Sequence, residues 1–302
     1  MVDVRTRFRK LMAFEPVDRI PLLEWATWWD KTIARWHGEG LPEHLSDAGD
    51  IRDYFGQDAY RQMGVGIRKR SCPAPAYHGA GIVSDMAGYL AVKEHLYPDP
   101  GDAFDRDRLQ TWAERQGRGE MVVWLTLEGF FWYPRTLLGI EGHLTALCEQ
   151  PGTVHAINED LLEFNLRVLD AFCDICVPDF MTFAEDMSYR GGPMVSRAFF
   201  DTFQTPNYKR LVPRILERGI LPFVDSDGDV TDLIPLLKGC GVEGPDSIPA
   251  EARGQHLVHG KPPCDGVQQR DATQLVSGPG IQTLDHPGAG TDPDARARQA
   301  EA

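Results

Sequence analysis

No aromatic residue follows Phe223: every Phe, Tyr and Trp of this 302-residue sequence lies at or before that position. From Pro245 to Ala302 there are seven Pro and seven Gly, with isolated Leu, Val and Ile that follow no period. Such a segment buries too little apolar surface to offset the entropy of ordering it. Residues 245–302 are therefore expected to be a disordered or aberrant tail, and residues 1–244 the folded domain. Long apolar runs are missing as well. Nothing reaches the roughly 18 residues a membrane span needs, and Met1-Val-Asp-Val-Arg-Thr-Arg7 runs into charged sequence without the apolar core of a signal peptide. No membrane association is expected, and the expected compartment is the cytoplasm.

Positive charge is scarce. With 31 Lys and Arg against 45 Asp and Glu, the formal charge is −14, which argues against nucleic acid as a partner. An anionic ligand needs a local basic pocket. Cysteine is too sparse for a disulfide framework, since six residues are scattered along the chain. Cys173 and Cys176 form a CxxC inside a helical pattern, where packing is the expected role. No glycine-rich GxGxxG follows the first expected strand, which argues against a dinucleotide site. His78, His95, His143 and His155 lack metal-ligand spacing and are read as structural. Asp225-Ser-Asp227-Gly-Asp229 is not a calcium loop, because its glycine falls too early and Leu236 stands where the last ligand would be. No metal and no cofactor are expected.

What is present alternates in the manner of βα units. Strands are expected at 19–25, 121–129, 179–186 and 220–224, with a hairpin within 76–95. Helices are expected within 137–169, split at Gln150-Pro-Gly, and at 197–218 and 230–238. Parallel strands each followed by a helix make an α/β fold, with a TIM (β/α)8-type barrel favoured over an open sheet, and in either architecture chemistry sits at the carboxyl ends of strands. Three such ends carry acids: Glu24 after the first strand, Glu185 and Asp186 after the third, Asp225 and Asp227 after the fourth. Clustered carboxylates drive their pKa values apart and so supply an acid and a base together. Capping of the following helix is the plainer alternative for Asp225 or Asp227. The loop 187–196 adds Tyr189 and Arg190 beside two glycines, and Trp25, Trp28 and Trp29 form either a stacking wall or a packed lid.

These residues lie in a recognisable pattern. Arg7-Phe-Arg-Lys-Leu-Met-Ala-Phe-Glu-Pro-Val-Asp-Arg-Ile-Pro21, Gly129-Phe-Phe-Trp-Tyr-Pro-Arg-Thr-Leu-Leu-Gly-Ile-Glu-Gly142 and Phe183-Ala-Glu-Asp-Met-Ser-Tyr-Arg-Gly-Gly-Pro-Met-Val-Ser-Arg-Ala-Phe-Phe200 resemble the uroporphyrinogen decarboxylase family, as does the run 219–244. The resemblance covers residues 7–244. It implies a (β/α) barrel and one of two chemistries: cofactor-independent decarboxylation, or zinc-dependent methyl transfer between corrinoid proteins and thiols. Both patterns are altered. Glu24-Trp-Ala-Thr-Trp-Trp29 replaces the arginine-rich motif of the decarboxylases, no Phe-Ser-Asp appears near 59–67, and Asp225-Ser-Asp-Gly228 replaces the His-x-Cys-Gly of the methyltransferases. The family continues with two more βα units where this chain has its aromatic-free tail, so the barrel is expected to be C-terminally incomplete, through truncation or a frame-shift.

The resulting expectation is a carboxy-lyase acting on a small or tetrapyrrole-like molecule other than uroporphyrinogen. Asp186 with Asp225 or Asp227, and Glu185 beside them, would be the acids and bases, Tyr189 and Arg190 would orient the substrate, and Glu24, Trp25, Trp28 and Trp29 would contact it. The alternatives are corrinoid-dependent methyl transfer without the zinc motif, and an inactive fragment. A small-molecule substrate is the expected partner, and a homodimer is compatible with the sequence.

Overall fold

The computed structural model describes residues 2–24, 28–242 and the backbone of the pair 258–259. Trp25 and, apart from that pair, the tail lie outside the described residues. The strands are β1 (Tyr60–Gly64), β2 (Val122–Glu128), β3 (Phe180–Ala184), β4 (Ser188–Tyr189), β5 (Gly192–Pro193), β6 (Leu221–Asp225) and β7 (Val258–His259). All neighbours in the main sheet are parallel, in the order β1-β2-β3-β6-β7, while β4 and β5 form a small antiparallel hairpin. Among the described residues this sheet does not close. The described residues show an α/β fold with an arc of four full parallel strands, and the expected closed barrel is not seen among them.

Strand alternation decides what each side of the arc does. Met63, Val123, Leu125, Leu127, Met181, Phe183 and Val224 point to one side and are buried. The helix Pro151–Cys173 lies against β2 and brings Val154, Ile157, Leu161, Phe164, Val168 and Phe172, a helical stripe with no exposed surface. The other side carries Gln62, Trp124, Thr126, Glu128, Phe180, Thr182, Phe223 and Asp225, all at least partly open or polar. Trp124 and Phe180 stack at 5.1 Å, and the Thr126 and Thr182 hydroxyls meet at 3.0 Å. In a closed barrel this would be the interior.

The amino end of the arc is plugged by the helix Val4–Met12. Phe8 sits on Tyr60 and Phe180, with ring centroids at 5.8 and 5.2 Å. Arg5 pairs with Asp179 at 2.6 Å, and the buried Arg7 pairs with Asp18 at 2.8 Å and Asp58 at 3.0 Å. Asp58 and Asp179 precede β1 and β3, so these ion pairs fasten the helix to the amino ends of the strands.

Three expected elements are corrected. Residues 19–24 are not a strand. Asp58 takes both terminal nitrogens of Arg19 and the Leu22 amide, at 2.6, 2.8 and 2.8 Å, so a side chain holds this segment where a ladder was expected. The hairpin expected within 76–95 is instead an exposed loop followed by the helix Met86–Lys93, whose first turn is capped by the Asp85 carboxylate at 2.8 Å from the Gly88 amide. The alternation that suggested a hairpin is that of a helix with one buried stripe, Tyr89 and Val92. The helix expected over 197–218 is broken in two, Arg197–Phe203 and Thr205–Leu216, with Pro206 in the first turn of the second.

Candidate active site

β2 ends in Glu128-Gly129, and the chain turns sharply there around a buried carboxylate. Glu185, fully buried at the end of β3, accepts the amides of Phe130, Phe131 and Trp132 at 2.8, 2.8 and 3.0 Å, and the Tyr208 hydroxyl as well. A Cβ at position 129 would fall well under 3.0 Å from that carboxyl group, so glycine is the residue this approach allows. The turn launches the helix Trp132–Leu138, on which Trp132, Arg135 and Thr136 share one face.

That face looks into a cavity of about 500 Å³ at the carboxyl ends of β1 and β2. Glu128 enters it from β2, Ile67 and Arg68 from the segment after β1, and Trp132, Arg135 and Thr136 from the helix. His78, Gly79 and Ala80 close one side. Their loop is pinned by the Ile82 amide on the Leu137 carbonyl at 2.7 Å and by a bridge between Ala80 and Gly139.

Glu128 is the chemically distinctive group. Its Oε2 is buried with no hydrogen-bond partner. Burial pushes its carboxyl up to about 7, with Arg68 pulling the other way and Glu185 adding to the rise. A carboxyl that is half ionised near neutrality can both take and give a proton. Arg68 donates one terminal nitrogen to the carbonyl and hydroxyl of Thr136, at 2.9 and 3.0 Å. Arg135 donates to the Asp186 carbonyl at 3.2 Å and lies over the Trp132 ring at 4.7 Å. Neither arginine forms an ion pair with a described residue.

The residues singled out from sequence are distributed differently. Burial also pushes Glu185 up to about 7, against the pull of its four hydrogen bonds, and its oxygens are occupied in holding the turn after β2. Asp186 has a left-handed backbone, φ 37°, which turns its carbonyl to Arg135. Its carboxylate accepts the Asp227 amide at 3.3 Å, so the ends of β3 and β6 do meet. Asp225 is level with Ala184 and Glu128 in the sheet register. Two strand spacings, about 10 Å, separate it from Glu128 on the same side. Tyr189 and Arg190 are exposed on the β4–β5 hairpin, which Gly228 approaches so closely that a Cβ would strike the Tyr189 backbone. None of these lines the cavity.

Glu24 lies farther off. Its amide donates to the Gln57 side chain at 3.1 Å, in the segment leading into β1 and so at the opposite end of the sheet. Trp28 packs edge-on to Trp36 and Phe55, at 5.0 and 6.2 Å, with Arg52 at 5.3 Å over its ring, and Trp29 is 77% exposed beside the helix Asp30–Glu39. For Trp28 the packed alternative describes the geometry. His78 lines the cavity, whereas His143 is buried against Phe131 and pushed down to about 4 by burial. Cys176 donates to the Gln116 side chain at 3.3 Å, and burial pushes its thiol up to about 12, which removes it as a nucleophile.

Among the described residues a zinc site of the kind the resemblance implies finds no donor set. Asp225-Ser226-Asp227-Gly228 offers hard oxygens only, and among the described residues no three His, Cys, Asp or Glu side chains gather as ligands. No helix among the described residues is long and apolar enough to cross a membrane.

Sequence reasoning passed over Glu128, Arg68 and Arg135. The rule that selected Glu185 and Asp225, an acid at the end of a strand, selects Glu128 equally, one residue before the Gly129 that closes β2. Nothing in the local sequence marks the arginines.

No family model matches the chain, and no curated protein does. Among solved structures, a methyltransferase from Methanosarcina mazei is similar at a TM-score of 0.55 and 14% identity, over 80% of this chain and 74% of that one. At that identity the likeness is one of fold.

Proposed function

We propose that this chain is a methyltransferase-like enzyme of the uroporphyrinogen decarboxylase superfamily that works on a small molecule held in the cavity beside Glu128. The observation that carries this reading is the Glu128 carboxyl, its one oxygen buried and unpartnered between Arg68 and the helix Trp132–Leu138. The fold likeness to a solved methyltransferase favours methyl transfer over decarboxylation. In this reading the acceptor gives its proton to ionised Glu128, its lone pair forms the new bond to the methyl carbon, and the bond from that carbon to the donor breaks with its electron pair left on the donor. A methylated corrinoid is the donor that the superfamily resemblance suggests. The Glu128 carboxylate would then be the group that activates the acceptor.

A second reading is favoured by the two arginines, which can hold a carboxylate. The bond to that carboxylate then breaks, carbon dioxide leaves, and neutral Glu128 protonates the carbon left behind. Asp186, Asp225 and Asp227, at the ends of β3 and β6, would be the further acids available to either reaction. The full chain, incubated with methylcobalamin and a panel of thiols and organic acids, tests the choice. Methyl transfer changes the visible spectrum of the corrinoid and adds a methyl mass to one acceptor, whereas lyase chemistry releases carbon dioxide with the spectrum unchanged. An Asp186→Asn, Asp227→Asn double variant that abolishes turnover while Glu128→Gln does not would move the chemistry to β3 and β6 and overturn the assignment to Glu128.

A further inference from the structure

Many arginines of this acidic chain are spent on acids, while Arg70, Arg106, Arg167 and Arg214 form no ion pair with a described residue but lie exposed. Arg5, Arg7, Arg19, Arg61, Arg210 and Arg218 each form an ion pair with Asp or Glu. Arg68 and Arg135 do not, although the formal charge of −14 offers acids in excess. Each is anchored through a single nitrogen to neutral oxygens, those of Thr136 and Asp186. The Nε and Nη1 of Arg68 and the Nε and Nη2 of Arg135 donate to no described residue. Both side chains line the same cavity, and both are half-buried. A guanidinium kept partly out of water without an anion has given up solvation that a ligand can restore.

We infer that the cavity binds a small organic acid through its carboxylate, gripped by the free edges of Arg68 and Arg135, with Glu128 in the same cavity taking up a proton as the acid enters. This names the ligand class of the site proposed above and rests on that cavity being the substrate site; the neutral Glu128 it leaves fits the second reading, in which Glu128 gives a proton. A carboxylate matches the planar fork of arginine and brings one negative charge. Phosphate brings nearly two, and its second charge would fall against Glu128. The cavity, about 500 Å³, lies in the lower half of the range for small-molecule sites, and the Trp132 ring supplies an apolar wall for the carbon skeleton.

Proton uptake follows from electrostatics. An anion beside Glu128 disfavours its ionised form, so binding is tightest where Glu128 is already neutral and weakens by up to about tenfold per pH unit above the Glu128 titration.

The test is calorimetry on the full chain with propionate, succinate and inorganic phosphate as probes, in two buffers of different ionisation enthalpy at about pH 6 and about pH 8. Expected are binding of a carboxylate probe, proton uptake at the higher pH, and a loss of at least about tenfold in Arg68→Ala and in Arg135→Ala, the cost of one charge-assisted pair. Arg68→Lys and Arg135→Lys, which keep the charge, should recover part of the loss, and far-ultraviolet dichroism of each variant checks that it is folded. Glu128→Gln should bind with the pH dependence and the proton uptake removed. Phosphate binding without carboxylate binding, or unchanged affinity in both alanine variants, overturns the inference. Calorimetry needs no turnover, so carboxylate binding with no methyl transfer overturns the reaction proposed above while upholding the ligand class.

Discussion

Replacing Glu185 with alanine should cost this protein several kcal/mol and much of its cooperative folding. The carboxylate serves four donors, the amides of Phe130, Phe131 and Trp132 and the hydroxyl of Tyr208, all but Trp132 in buried residues. Each buried donor left without an acceptor costs about 1–3 kcal/mol, and relaxation of the turn recovers part of the sum. A net loss of about 4 kcal/mol is a large share of the ~5–15 kcal/mol typical of a folded domain. In a domain of this size it should lower Tm by about 10 °C or more. Glu185→Gln, which keeps the volume and one acceptor, should fall between alanine and wild type. Gly129→Ala should be comparably damaging from the other partner, since its Cβ would occupy the place of the Glu185 carboxyl group. Thermal melts followed by circular dichroism decide the matter. A Glu185→Ala variant that melts within about 2 °C of wild type but has lost its activity would mean that Glu185 belongs to the chemistry and not to the scaffold.

Replacing Glu128 with glutamine should do the opposite to stability and still abolish turnover. Burial raises the Glu128 carboxyl from 4.5 to about 7 in the folded chain. A carboxyl with a raised folded pKa contributes stability fully below its unfolded value, and that contribution is lost as the pH climbs through the folded value. For Glu128 the loss runs from about pH 4.5 to about pH 7 and then levels off. At about pH 8 the ionised side chain therefore costs the fold up to about 3 kcal/mol, which the neutral amide does not. Glu128→Gln should melt several degrees higher at that pH and close to wild type at about pH 4. Glu185 titrates in the same window, but it is present in both proteins, so the difference between their stability–pH curves isolates Glu128. Loss of a proton-transferring group costs about 10²–10⁴ in rate. A more stable and inactive variant is the signature of a group kept for chemistry at the expense of the fold. Equal melting curves across this pH range would show that Glu128 is not desolvated, and the case for it as acid or base would fall.

The local pattern of the chain determined a good deal. The apolar runs of β2, β3 and β6 and the Gln150-Pro-Gly break between helices follow from residues adjacent in sequence, because a strand with both faces covered and a helix with one stripe leave periodic marks. That acids stand at strand ends was equally legible, although Glu128, which obeys the same rule, was not singled out. β1 left no such mark: it has five residues, and its buried Arg61 is tolerated only because Asp53 and the Gly49 carbonyl, both earlier in the chain, receive it. The strand expected at 19–25 failed over its described residues 19–24 for the same kind of reason, since Asp58 takes the Leu22 amide from 36 residues away.

What an acid at a strand end becomes was decided by tertiary structure alone. Glu185, Asp186 and Glu128 look alike in sequence. The fold turns the first inward onto three amides, gives the second a left-handed backbone whose carbonyl holds Arg135, and leaves the third with a buried oxygen beside two arginines contributed by other segments. Periodicity tells which way a side chain points but not what it meets there. Desolvation and unpaired charge, the quantities that make Glu128, Arg68 and Arg135 a candidate site, are sums over neighbours far apart in the chain, and only the folded molecule performs those sums.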